Sequence, residues 1–117
     1  MPEFDAYLMV DWSASSRPTT GADSIWYCLM VRTATALYVL ALANPSTRAA
    51  AMAEISNLLC GLTRQRRTVL VGFDFPFGYP AGFADALRLE RDHPWEQVRI
   101  ELARCVVDRA HNSNNRY

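Results

Sequence analysis

The chain alternates between apolar runs and short polar breaks, and the rhythm of each run predicts an element. The first run, "AYLMV" at 6–10, closes on Asp11 and reads as a strand. Residues 13–23, "SASSRPTTGAD", are rich in Ser, Thr, Pro and Gly and read as a loop. "SIWYCLMVR" at 24–32 and "ALYVLALA" at 36–43 are apolar runs with aromatic and branched side chains, and both read as strands. The short connection between them implies an antiparallel hairpin.

From residue 44 the period changes. "NPSTRAAAMAEISNLLCGLTRQ" places Ala51, Ile55, Leu58 and Leu62 on one face of a helix, the i, i+4, i+7, i+11 spacing of a buried stripe. Ser46 or Thr47 can cap it, and Asn44-Pro45 break the chain before it. "TVLVGFDF" at 68–75 is a short apolar run bounded by charge and by Pro76, predicted as a strand buried on both faces. "PFGYPAG" holds two prolines and two glycines, so it is neither helix nor central strand. A short helix is expected over 81–91. A longer one is expected over 94–110, with Val98, Leu102, Cys105 and Val106 facing inward. The tail "HNSNNRY" carries no pattern.

The order predicts an α/β fold. Three strands form an antiparallel meander, a helix crosses over, and the fourth strand returns parallel to the first. Helices pack on the resulting mixed sheet. At 117 residues the chain is sized for a single domain. No fifth strand follows the fourth, and the chain stops in a polar tail, which reads as a fragment of a longer protein.

Charge and composition narrow the partners. Twelve basic residues against twelve acidic ones give zero net charge, which argues against a broad electrostatic grip on nucleic acid. The one dense basic cluster, "RQRR" at 64–67, falls at the end of the long helix, where the dipole favours it and solvent covers it. Three cysteines, with no CxxC and no histidine at metal spacing, point to a reducing compartment and to buried small apolar side chains. No signal peptide is visible, and no apolar run is long enough to span a membrane. The expected location is cytoplasmic.

The candidate chemistry lies in carboxylates. Asp11 and Asp74 each close a strand, and if those strands are parallel neighbours the two lie at the same end. Alternation puts Tyr7, Met9 and Asp11 on one face, and likewise Leu70, Gly72 and Asp74. Gly72 leaves room beside Asp74. Two carboxylates brought together repel; they stay ionised with a cation between them, and otherwise one takes a proton. Glu54, on the flank of the helix's apolar stripe, is the candidate third. Three converging carboxylates would suit Mg2+ or Mn2+. Taken singly, each aspartate is also a natural turn residue, and Glu54 a natural exposed helix residue; the pair carries more weight than either member. Trp12, Phe73, Phe75 and Phe77 flank the site, either as packing or as surfaces for stacking a base or sugar.

Strand-strand-strand-helix-strand, with Asp11, Glu54 and Asp74 at these positions and 63 residues between the aspartates, resembles the ribonuclease H-like superfamily. "VDWSASS" with "GFDFPFGYP" is similar to a group of bacterial proteins described as predicted nucleases of that fold. The resemblance covers roughly residues 6–80. It implies a metal-dependent phosphodiester hydrolase in which Asp11, Glu54 and Asp74 carry the metal and the catalysis. The superfamily's fifth strand is missing from this pattern. Its fourth carboxylate has only unplaced candidates in Asp85, Asp92 and Asp108.

Two other classes stay open. "DWSASS" loosely resembles the phosphate-holding turn of actin-like ATPases and sugar kinases, which makes a nucleotide-binding or phosphotransfer domain the alternative. Trp12, Ser13, Ser15 and Ser16 would then contact substrate, as they would in the nuclease reading. A non-catalytic assembly module of the same fold is the third class, with a homodimer formed through an open sheet edge. The expected partners are nucleic acid or nucleotide, and no membrane.

Overall fold

A computed structural model describes residues 3–89 and 92–114. The elements are β1 (Ala6–Asp11), β2 (Trp26–Arg32), β3 (Leu37–Ala43), α1 (Arg48–Arg64), β4 (Val69–Phe73), α2 (Phe83–Ala86) and α3 (Pro94–Cys105). The strands form one sheet in the order β3-β2-β1-β4. β1–β2 and β2–β3 are antiparallel and β1–β4 is parallel. The protein is therefore α/β with a mixed four-stranded sheet, as the order of elements requires: a hairpin reverses the chain and a crossover helix restores its direction.

The chain divides into two compact units. One comprises Met1–Asp74 with Ala110–Ser113, the other Phe75–Arg109 with Asn114–Tyr117. The first contains the whole sheet and α1. Its core is a single layer between them: Ala6, Leu8 and Val10 of β1, Tyr27, Leu29 and Val31 of β2, and Ile55 and Leu62 of α1. The burial alternates strictly along β1 and β2, so one face of each strand meets the helix. Thr47 caps α1 by accepting the Ala50 N–H at 3.1 Å.

Among the described residues of this unit, no helix lies on the other sheet face. β4, expected to be buried on both faces, leaves Leu70 exposed, and Met9 and Leu42 are exposed on the same side. β3 and β4 are the outer strands. The β2–β3 register shifts between Leu29 and Met30, leaving Leu40 without an opposite residue, the two-against-one count of a bulge.

The second unit is built from α2, α3 and their connections. α2 has only four residues, shorter than the helix expected over 81–91, because Arg88 takes a left-handed φ of 57° that ends it; Glu90 and Arg91 lie outside the described residues. α3 stops at Cys105, where Val106 turns extended, instead of continuing to 110. Val98 is its buried residue, while Cys105 and Val106 are exposed. Cys60 is exposed as well, so two of the three cysteines are surface thiols and not the core residues their composition suggested. No helix among the described residues is long and apolar enough to cross a membrane.

Candidate functional site

The last β1–β4 pair is Val10 with Phe73, and the next residue on each strand is an aspartate. Val10 faces the core, so the pleat turns Asp11 to the open face, and the same alternation carries Gly72 and Asp74 there. The Asp11 and Asp74 carboxylates hydrogen-bond to each other. The two aspartates therefore belong to one site.

Their environments differ. Asp74 Oδ1 accepts the backbone N–H of Trp12 at 2.8 Å, and this amide holds the Asp74 carboxyl below the usual carboxylate range, with help from the Asp11 hydrogen bond. The Asp11 carboxyl is pushed above that range, first by its hydrogen bond to Asp74, then by desolvation and by repulsion from Asp74. A proton on the pair therefore resides on Asp11, and Asp74 stays ionised. The Trp12 ring packs edge-on against Phe73, with centroids 5.9 Å apart, and fixes the peptide that supplies this N–H.

The pair sits between two depressions. On the sheet side an apolar groove of about 450 Å³ is lined by Met9, Cys28, Leu42 and Gly72 together with both aspartates. On the loop side a smaller polar hollow of about 320 Å³ is lined by Asp11, Trp12, Ser13, Asp23 and Ser24. The space expected at Gly72 is already used. A Cβ there would lie 2.9 Å from Met9 Sδ, so Met9 fills the gap.

Glu54 does not join the aspartates. Its carboxylate accepts the Tyr27 hydroxyl at 2.8 Å, and Tyr27 belongs to the core layer under α1. Glu54 and the aspartate pair therefore lie on opposite faces of the sheet. The physical reason is the pleat: Asp11 follows a core residue, so it cannot share the helix's side. Among the described residues no three His, Cys, Asp or Glu side chains form a metal-binding group. Burial, then Glu54, pushes the Tyr27 hydroxyl up to about 12.

The serines of the turn hold the turn together. Ser13 Oγ donates to the Asp23 carbonyl and accepts the Ser15 N–H. Ser15 Oγ donates to the Arg17 carbonyl and pairs with Thr19 Oγ1. Ser16 is exposed. The hydroxyls expected to meet substrate at Ser13 and Ser15 are thus engaged within 13–23.

Two residues that the sequence did not single out hold this loop. Arg48 is buried and donates to the carbonyls of Ser13, Ser15 and Asn112. Asn112, only 2 % exposed, accepts the Arg48 N–H at 2.7 Å and donates to the Arg17 carbonyl at 3.1 Å. A signal for Arg48 was available: a cation in the first turn of a helix opposes the dipole, so its position implies a tertiary partner. Asn112 sits in a patternless tail and gave none.

Comparison with protein-family models, with curated proteins and with solved structures finds no match. The fold and the site together define the class: an α/β domain with a mixed four-stranded sheet and a carboxylate pair at the carboxyl ends of its two parallel strands.

Proposed function

We propose that this chain is a ribonuclease H-like domain that hydrolyses phosphoesters, with nucleic acid or nucleotide as substrate, using Mg2+ or Mn2+ held by Asp11 and Asp74. The observation that carries the reading is the contact between these two carboxylates at the shared end of β1 and β4. Carboxyl ends of parallel strands are where open α/β sheets place ligands.

The donor set fits such a cation. Mg2+ is commonly held by one or two carboxylates, with water and substrate phosphate completing its shell, so a pair without Glu54 suffices. A bound divalent ion supplies Lewis-acid polarisation of the phosphoryl group and a water of lowered pKa. The chain's own residues prepare the site. The Trp12 N–H favours the ionised form of Asp74 and orients its carboxylate through Oδ1. Asp11 and Asp74 would hold such a cation through their ionised carboxylates, and its charge would offset the repulsion between them. The Arg48–Asn112 clamp fixes the loop that carries Trp12.

The test is cleavage. Single-stranded DNA, RNA and an RNA–DNA hybrid are offered with Mn2+ or Mg2+ to the wild type, to Asp11→Asn, to Asp74→Asn and to Glu54→Gln. Metal-dependent cleavage lost in both aspartate variants and kept in Glu54→Gln supports the reading. Cleavage that survives Asp11→Asn, or no cleavage of any substrate, overturns it.

One observation favours a second reading, a non-catalytic assembly module. Val39, Leu40 and Leu42 of the outer strand β3 are 54 %, 53 % and 64 % exposed, and an apolar strand edge is a template for pairing with another chain. Light scattering separates the readings: a dimer dissolved by Leu40→Lys, with no cleavage, favours assembly.

A further inference from the structure

The second unit holds a cavity of its own, of about 620 Å³, walled by Phe77, Tyr79, Phe83 and Trp95, with Pro94 and Val98 among its apolar lining. The volume is in the range of small-molecule sites, roughly 300–1,000 Å³. Tyr79 stacks on Phe83 with centroids 4.7 Å apart and planes 14° apart, and Trp95 lies 6.0 Å from Tyr79 at 32°. Tyr79 is thus engaged by two rings. Trp95 and Phe77 have one ring partner each among the described residues, and they are 49 % and 66 % exposed. Both therefore keep ring surface for a ligand.

The rings select the ligand class. An aromatic ring laid against an aromatic face gains more than the area it buries, whereas an aliphatic body of the same size gains the area alone. A flat ring is therefore favoured here over a chain. No Lys, Arg or His is among the described lining residues, so a phosphate or carboxylate meets no cationic side chain, and the ligand is held by its ring. Polar contacts come from the backbone. Gly78 lines the cavity with backbone atoms alone, and among the described residues neither it nor Ala81, also in the lining, makes a hydrogen bond. Their peptide groups supply donors and acceptors for ring nitrogens and exocyclic groups, the few placed polar groups by which such sites orient a ligand.

We propose that this cavity binds a planar heteroaromatic ring of the nucleobase class, stacked on the Trp95 indole. The site needs neither the Asp11–Asp74 pair nor a metal.

The experiment titrates the full chain, in EDTA, with adenosine, with cyclohexylmethanol as an apolar body lacking a π face, with choline as a cation, and with single-stranded hexa-deoxyadenylate. Binding is followed by calorimetry and by the indole N–H resonance of Trp95. Adenosine is expected to bind at least about fivefold tighter than cyclohexylmethanol, and Trp95→Leu to weaken adenosine by at least about fivefold while leaving cyclohexylmethanol unchanged. Trp95→Phe keeps a π face and should retain adenosine binding. A hexamer that binds more tightly than adenosine assigns the base to a strand, and the reverse assigns it to a free nucleoside; either supports the proposal. Equal binding of adenosine and cyclohexylmethanol, undiminished adenosine binding in Trp95→Leu, choline binding more tightly than adenosine, or no adenosine binding up to its solubility limit overturns it. Asp11→Asn should bind adenosine like the wild type, so failure here is distinguishable from failure of the hydrolase reading.

Discussion

Asp11 and Asp74 share a hydrogen bond across two parallel strands, and the Trp12 amide decides which of them keeps the proton. The Asp11 carboxyl lies above its ordinary value and that of Asp74 below it. Groups in such contact titrate in two macroscopic steps, and carboxyl-carbon NMR should show one step on each side of 3.8, the higher dominated by Asp11.

The same relationship sets a pH dependence of stability. A raised folded-state value means that Asp11's contribution is complete below 3.8 and is lost as pH rises through its folded value. For Asp74 the sign is opposite: its contribution is present above 3.8 and is lost as pH falls through its lowered value. Asn at position 11 mimics the protonated aspartate, since its amide can donate to Asp74. Asp11→Asn is therefore expected to melt higher than the wild type at pH 7 without metal, and the gap should close toward pH 3.

Tyr27 gives a separate alkaline signature. Its hydroxyl ionises at about 12, held up by burial and by the Glu54 carboxylate. That contribution is present below pH 10 and is lost as pH rises through 12. In an ultraviolet titration, Tyr27→Phe should remove a tyrosine step at about 12. It should also cost about 1 kcal/mol at neutral pH, the net worth of an ordinary side-chain hydrogen bond, because Glu54 is exposed and rehydrates.

Arg48 ties three carbonyls of two distant segments to the start of α1. Arg48→Met keeps the bulk and leaves those carbonyls without their donor. The expected loss is about 2–3 kcal/mol in urea unfolding. Asn112→Ala should fall in the same range, and the double variant should cost less than the sum, because the two residues serve one network.

Leu8 is fully buried in the layer between sheet and α1. Leu8→Ala should cost about 3 kcal/mol, whereas Leu42→Ala, on the exposed face, should change stability by less than about 0.5 kcal/mol. Urea midpoints of the two variants check this contrast.

Periodicity exposed most of the first unit to reading. The apolar run of 6–10 and the stripe Ala51–Ile55–Leu62 mark a strand and the helix face that packs on the sheet, and short hairpin and crossover rules then fix strand order. The Asp11–Asp74 pair was legible for the same reason, since two strand ends in parallel register must coincide. Glu54 was not. A helical wheel places it at the edge of the stripe, but only the pleat of β1 tells which sheet face the helix covers relative to Asp11. The extents of α2 and α3 also escaped, because a left-handed Arg88 ends the one and an extended Val106 ends the other, with no glycine or proline at either position. Arg48 and Asn112 act through partners 33 to 95 residues away, a distance that local pattern does not encode.

The most direct test of the carboxylate pair is calorimetric titration of Mn2+ into the wild type, Asp11→Asn, Asp74→Asn and Glu54→Gln at pH 7. The account predicts binding in the wild type and in Glu54→Gln, and loss of binding in both aspartate variants. Wild-type affinity retained in Asp11→Asn, or binding lost in Glu54→Gln alone, would contradict it.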